Sequence, residues 1–324
     1  FVGRLGERSV APLAEQDHFT KTLEYWTGMA KKRFHYYTQQ STKIIVEPIK
    51  VDRWVKEGDV VEWNGHRFDV LETPGFSRGA VSYLGKVDGK RVAFTGDLIY
   101  GDGKILDLYS FQDSIPEANI GGYHGYGARL AQLVSSLRKI KEANPEVIYP
   151  GRGPVIENPE AAIDKLIGRV KALYGNYLST NALHWYFGGN RMRICGERVL
   201  GKGSEIELMP KCLHVDTPDW IIQFSTSRII VSDDGHGFLL DCGGQRQFDY
   251  VKGLVEKGVV KKIDGIFVTH THDDHSHMVK AASEEFGCPV YSTIEYEDIL
   301  ENPSHYLMPG LTENAVADVK GMKD

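Results

Sequence analysis

Val268-Thr269-His270-Thr271-His272-Asp273-Asp274-His275-Ser276-His277 gathers metal-ligand side chains at the end of a short apolar run, Ile266-Phe267-Val268. The pattern is H-x-H-x-D-H. A strand delivering its last residues into such a loop puts His270 and His272, two apart, on one side of the backbone, where both imidazoles can converge on one ion. Asp274 and His275 then open a stretch with helical spacing through Met278, Val279, Ala282 and Phe286 to Gly287. An acid in a first helical turn complements the helix dipole. Three imidazoles and a carboxylate within six residues suit zinc or another first-row ion, and a second ion could take Asp274 and His275 as its own ligands. The competing reading is a polar surface loop in a chain with 12 histidines, which does not account for ligands at this spacing. Successive side chains diverge, so Asp273 reads as a cap or solvated acid. His277 reads as a surface residue.

This segment resembles the signature of the metallo-β-lactamase superfamily of hydrolases. The resemblance implies His270, His272, Asp274 and His275 as metal ligands. A histidine at 272, where the diiron oxidoreductases of that superfamily usually carry a glutamate, implies the hydrolase branch. The implied fold is an α/β (α+β) four-layer αββα sandwich, and the implied cofactor is one or two zinc ions, other first-row metals being alternatives.

Composition sets the outer bounds. At 324 residues, 41% hydrophobic and 25% charged, the chain has the make-up of an ordinary globular protein with two domains or one large one. No apolar run approaches the ~20 residues that span a bilayer, so no membrane association is expected, and the cytoplasm is the expected compartment. Cys195, Cys212, Cys242 and Cys288 lie far apart without a C-x-x-C pair, which excludes a zinc cage or disulfide framework; Cys242 and Cys288 read as small core residues. Residues 214–324 carry 9 Lys+Arg against 19 Asp+Glu, leaving 29 against 25 in residues 1–213. Neither part has a basic stripe, so nucleic acid is not an expected partner.

Along the chain, residues 11–40 mix Phe19, Tyr25, Trp26, Phe34, Tyr36 and Tyr37 with charges and read as helical, their rings packing into core in preference to the alternative, a pocket wall. From Ile44 the period changes to two. Ile44–Val46, Val60–Trp63 and Arg67–Leu71 read as strands, with Asn64-Gly65 a strong hairpin signal; Ala80–Leu84 and Arg91–Thr95 form another hairpin around Asp88-Gly89. Arg129–Lys141 spaces Leu130, Leu133, Leu137 and Ile140 helically, and residues 157–178 form a helix capped by Asn158 with Pro159 in its first turn. A mixed connector follows, rich in Gly188-Gly189-Asn190 and Gly201-Lys202-Gly203. Beyond it Trp220–Phe224, Arg228–Val231 and Gly237–Gly243 read as a new meander, a helix spans Phe248–Gly258, and Pro289–Ser292 is a last short strand.

The family resemblance extends to both parts. Thr73-Pro74-Gly75-Phe76-Ser77-Arg78-Gly79, then Gly96-Asp97, is similar to the superfamily's T-P-G-H-S/T-x-G and G-D segments, which implies Asp97 as a ligand of the second ion. Phe76 stands where the histidine would be. Pro150-Gly151-Arg152-Gly153-Pro154 stands where a P-G-H-G-P segment commonly brings the last ligand, and Arg152 is a permanent cation that cannot bind a metal. Arg152 therefore reads either as an anchor for an anionic substrate group or as an ion-paired arginine; His124 is a spare imidazole that reads as a surface residue. The Leu239-Leu240-Asp241-Cys242-Gly243 strand resembles the L-I-D-T-G strand that opens such a domain.

The halves thus stand in reversed order: residues 1–180 look like a second half with degenerate metal positions, 181–213 like a connector, and 214–324 like a first half carrying the H-x-H-x-D-H motif. A fragment of a tandem protein, a circular permutant and halves that pair with another copy all produce this order. The start at Phe1 and the finish after Lys323 favour the fragment, and a homo-oligomer is compatible. The expected function is hydrolysis of a small-molecule ester, thioester, lactam or phosphoester by metal-bound hydroxide, with Asp274 as catalytic carboxylate. The rival is an impaired pseudo-enzyme or scaffold that binds metal weakly.

Overall fold

A computed structural model describes residues 9–32, 45, 47–210, 216–306, 308 and 310–323. The expected strand at Ile44–Val46, the aromatics Phe34, Tyr36 and Tyr37, and Cys212 lie at least partly outside them. The chain divides into two compact units, Phe1–Lys211 and Cys212–Asp324.

In the first unit a short parallel pair joins β1 (Val10–Pro12) and β2 (Arg53–Val55), with helices α1 (Gln16–Thr20) and α2 (Thr22–Lys32) between them in sequence. A five-stranded sheet follows, of β3 (Val60–Trp63), β4 (His66–Glu72), β5 (Val81–Val87), β6 (Lys90–Gly96) and β7 (Val147–Pro150), in that order across the sheet. Its first four strands are an antiparallel meander whose hairpins turn at Asn64-Gly65 and Asp88-Gly89, where both residues of each pair adopt positive φ; this is the signature of the tight type I′ connection. β7 joins β6 in parallel after α3 (Leu130–Glu142), as a crossover connection requires.

Leu130, Leu133, Leu137 and Ile140 of α3 are fully buried at the helical spacing read from sequence. Burial of each such side chain contributes about 1.5–3 kcal/mol. They meet Leu84, Ala93 and Ile148 from one face of the sheet and Ile163, Leu166, Val170 and Tyr174 of α4 (Pro159–Ser179), whose Asn158 cap accepts from the Ala161 N–H. The opposite sheet face carries a row of rings, Phe68, Phe94 and Tyr149, with Phe94 stacked on Tyr149 at 5.4 Å. The span expected as a connector folds in large part as α5 (Leu183–Phe187) and α6 (Gly189–Leu200), because Met192, Cys195 and Val199 recur on one helix face and bury into the same core.

The second unit is a six-stranded sheet. Its strands are β8 (Ile221–Phe224), β9 (Ser227–Val231), β10 (His236–Leu240), β11 (Lys262–Phe267), β12 (Val290–Thr293) and β13 (Lys320–Met322), neighbours in sequence order. β8 to β10 form an antiparallel meander; β10 to β13 run parallel. The crossovers are α7 (Gln245–Glu256), α8 (Asp273–Ser276) with α9 (Val279–Phe286), and α10 (Ile294–Glu301). Leu239, Ile229, Ile266 and Val290 point from one sheet face into a core with Val251, Val279 and Ala282; Cys242 and Cys288 are buried there as expected. The mixed α/β class read from sequence is the class observed. Among the described residues no helix is long and apolar enough to cross a membrane.

Candidate metal centre

Parallel β10 and β11 end side by side, with Leu240 opposite Phe267 and the Asp241 N–H donating to the Phe267 carbonyl at 2.9 Å. Loops that leave the carboxyl ends of adjacent parallel strands converge, which is why sites of α/β sheets form there. Asp241 leaves one such end; the segment 268–277 leaves the other. The strand stops at Phe267, so strand alternation is not what aligns His270 and His272. A pinned loop does it.

The pins are numerous. The Cys242 N–H donates to the His275 carbonyl and the Met278 N–H returns to the Cys242 carbonyl, both at 2.8 Å. Thr226 Oγ1 donates to the Asp274 carbonyl at 2.8 Å, and the Asp273 N–H to the Gly310 carbonyl at 2.6 Å. Buried Ser276 Oγ lies within hydrogen-bonding reach of the Thr271 and His272 carbonyls. The helical stretch expected from Asp274 to Gly287 is broken at His277-Met278 into α8 and α9, because the Met278 N–H is claimed by Cys242. Gly243 packs so closely under this loop that a Cβ there would lie 1.8 Å from the Asp274 carbonyl oxygen.

Three imidazoles come together here. The His270 ring centroid lies 4.9 Å from that of His272 and 4.0 Å from that of His275. Asp274 Oδ2 stands 3.7 Å from His275 Nε2. That gap is too long for a hydrogen bond and close to the ~3.4 Å edge of a tetrahedron with ~2.0–2.1 Å bonds. Asp273 is an exposed acid in the first turn of α8 that accepts from the Asp274 N–H at 2.9 Å; His277 is exposed and bonds Thr312. Both match the roles read from sequence.

Asp241 is the residue that sequence reasoning passed over. Its carboxylate, 3% exposed, accepts from the Thr269 N–H, from Thr269 Oγ1 and from His275 Nδ1, each at 2.8 Å. Because the Thr269 hydroxyl spends its hydrogen on Asp241, its lone pair faces His270 Nδ1 at 3.1 Å and accepts from it. One buried acid thereby sets the tautomer of two histidines, leaving Nε2 of both as a lone-pair donor. Burial and the neighbouring His275 and His272 rings hold His270 below its ordinary value, hence neutral, the form that ligates. The available signal was an acid directly after an apolar strand, in Leu239-Leu240-Asp241-Cys242-Gly243. The adjacent Cys242 thiol is pushed up to about 12 by burial and the Asp241 charge, so it contributes no thiolate.

Among the described residues no group of three or more His, Cys, Asp or Glu side chains stands in a geometry that could hold an ion. The rings lie packed against one another. The donor set nevertheless suits an ion of the zinc class: three imidazoles, two of them engaged on the Nδ1 side, one carboxylate within reach, and a buried acid behind them.

A family model, the metallo-beta-lactamase superfamily, matches residues 3–152 and 223–317, about three quarters of the sequence. The chain belongs to that superfamily. It is similar to the acyl-coenzyme A thioesterase MBLAC2 of Gallus gallus, at 30% identity over 28% of this chain and 29% of the relative. It is also similar to the hydroxyacylglutathione hydrolase GloC of Haemophilus influenzae, at 28% identity over 29% of this chain and 45% of the relative. The chain thus spans less than half the length of these curated relatives. Among solved structures, a metallo-beta-lactamase family protein from Thermus thermophilus aligns with 61% of this chain and 65% of its own, at 16% identity and a TM-score of 0.37.

The first-unit positions of this superfamily member are arranged differently. Asp97, expected as a ligand, is gripped by Arg152: Nε reaches Oδ1 at 2.9 Å and Nη2 reaches Oδ2 at 2.5 Å. Arg152 is thus the ion-paired arginine of the two readings left open. His124 is exposed and stands edge-on to Phe187 at 5.2 Å.

Proposed function

We propose that this superfamily member is a zinc-dependent hydrolase in which His270, His272, Asp274 and His275 hold one or two ions, and that its substrate is a small-molecule thioester. The observation that carries the reading is the convergence of three imidazoles with Asp241 fixing the Nδ1 protons of two. Two relatives named for thioester substrates favour that class over the ester, lactam and phosphoester alternatives.

Zinc bound at this centre supplies Lewis acidity, polarising a carbonyl and lowering the pKa of water toward ~7. The chain's own groups do the remainder. Asp241 holds the His275 ring directly and the His270 ring through the Thr269 hydroxyl, engaging the Nδ1 side of each and leaving the Nε2 side for an ion. The Asp274 carboxylate, 45% exposed and 3.7 Å from His275 Nε2, is open to the solvent side. Its second oxygen, the one not turned to the ion, accepts the proton of the attacking water as the new carbon–oxygen bond forms, and returns it to the departing thiolate as the carbon–sulfur bond breaks.

A second reading, an impaired enzyme or scaffold with weak metal binding, is favoured by the Arg152–Asp97 pairing in the first unit. One experiment separates them. Zinc content and thioester turnover are measured in the wild-type chain and in the His270→Ala/His272→Ala variant. The proposal expects zinc retention and turnover in the first and neither in the second. Unchanged zinc in the double variant sinks the ligand assignment, and zinc without turnover supports the scaffold.

A further inference from the structure

We propose that the ion position of the first unit is filled by the chain's own cation: the Arg152 guanidinium, forked on Asp97 beside Phe76, makes this centre a metal-free structural clasp. The argument starts with the strand ends. β6 and β7 are parallel neighbours in register at Gly96 and Pro150, and the Gly151 N–H donates to the Gly96 carbonyl at 2.7 Å. A Cβ at Gly151 would come within 3.2 Å of the Gly96 backbone, so a larger residue there would press the two strand ends apart by a few tenths of an ångström. Asp97 and Arg152, one residue further along each, are thereby set side by side.

Both carboxylate oxygens of Asp97 are spent on the fork. A metal ion approaching them meets a permanent positive charge at hydrogen-bond distance. A lysine or histidine could release its proton and yield; a guanidinium cannot. Phe76 completes the exclusion. Its ring lies 5.8 Å from the Arg152 guanidinium carbon and edge-on to the buried Phe111 at 6.1 Å, so it is held by the core and offers no donor atom. The three loops that leave β4, β6 and β7 are thus joined by a cation–carboxylate–ring contact in place of an ion.

Two consequences follow from this placement. Asp97 contributes nothing to the metal capacity of the chain, and loss of the clasp appears as lost stability. The first rests on the zinc reading of the 270–275 segment; the second does not.

The test uses the full chain, with Asp97→Asn, Arg152→Gln and the double variant, each loaded with zinc. Zinc per chain is measured by elemental analysis and melting temperature by calorimetry. The expected zinc content is the same in all four proteins. Each single variant melts about 2–4 °C lower, the size expected when a forked pair in a unit of this length is broken, and the double variant loses less than the sum because the residues act as one pair. A zinc content that falls in Asp97→Asn would overturn the proposal by making Asp97 a ligand. Single variants that melt unchanged, or losses that add fully, would overturn it by removing the clasp. The thermal cycle reads identically whether or not the second unit holds zinc, so its failure is distinct from failure of the hydrolase reading.

Discussion

Replacing Asp241 by Asn exchanges one oxygen for an NH2 group while keeping size and backbone. Asp241 sits at φ 58°, in the left-handed region, where Asn is accommodated as readily as Asp. The backbone therefore has no reason to move. The hydrogen bonds do. The carboxylate accepts three, from the Thr269 N–H, Thr269 Oγ1 and His275 Nδ1. An Asn can keep its oxygen on the Thr269 N–H, but its NH2 then faces the two donors that met Oδ2. His275 must turn or move its proton to Nε2, which removes the lone pair that would ligate, and the Thr269 hydroxyl reverses and ceases to accept from His270. Loss of such outer partners typically costs 10–100-fold in metal affinity. The expected result is a zinc dissociation constant raised by about that factor, together with roughly 1–3 kcal/mol of lost stability for the buried mispaired donors. Competition against a chromophoric chelator reads the affinity, and denaturant unfolding reads the stability. If zinc binds Asp241→Asn as tightly as wild type, the tautomer argument fails, however large the loss of stability.

Two further outcomes are expected. Gly243→Ala places a methyl 1.8 Å from the Asp274 carbonyl oxygen, so the loop must lift; both zinc retention and about 3 kcal/mol or more of stability should go, and a variant with normal zinc content and melting would show that the close approach is dispensable. Glu15 is 14% exposed and burial pushes its carboxyl up, but hydrogen bonds from His18, Ser77 and the Gly79 N–H outweigh this and bring it down to about 2 from an ordinary 4.5. The unfolded chain then takes up the proton first on acidification, so stabilisation of about 3 kcal/mol, complete above pH ~4.5, is lost as pH falls toward ~2. Urea unfolding of wild type and Glu15→Gln across that range should show a steeper acid fall in the wild type; parallel curves would remove Glu15 from the account.

What could be read in the sequence, and what could not, follows from the range of each interaction. The turns at Asn64-Gly65 and Asp88-Gly89 and the buried stripe of α3 are local signals, carried by residues within a few positions of one another, and the structure reproduces them within a residue or two. The imidazole cluster was legible for the same reason, since His270, His272 and His275 lie within six residues and a loop of that length can bring their rings together. Its support was not. Asp241 lies 34 residues from His275 and 28 from Thr269, and only the parallel pairing of β10 with β11 brings it beneath the loop. The Arg152–Asp97 fork spans 55 residues and depends in the same way on β6 meeting β7. The helices after Ser179 escaped because glycines at 188, 189, 201 and 203 mark loop in isolation, whereas the buried positions between them, Met192, Cys195 and Val199, are interpretable only once a core exists to receive them. In both units the acid at the end of one parallel strand is satisfied by the loop that leaves its neighbour. In the second unit the partners are Thr269 and the His275 imidazole, bonded through Nδ1; in the first the partner is a guanidinium that takes both carboxylate oxygens. Under the proposed hydrolase function, that difference of side chain leaves imidazole donors for an ion in the second unit and closes the Asp97 position in the first.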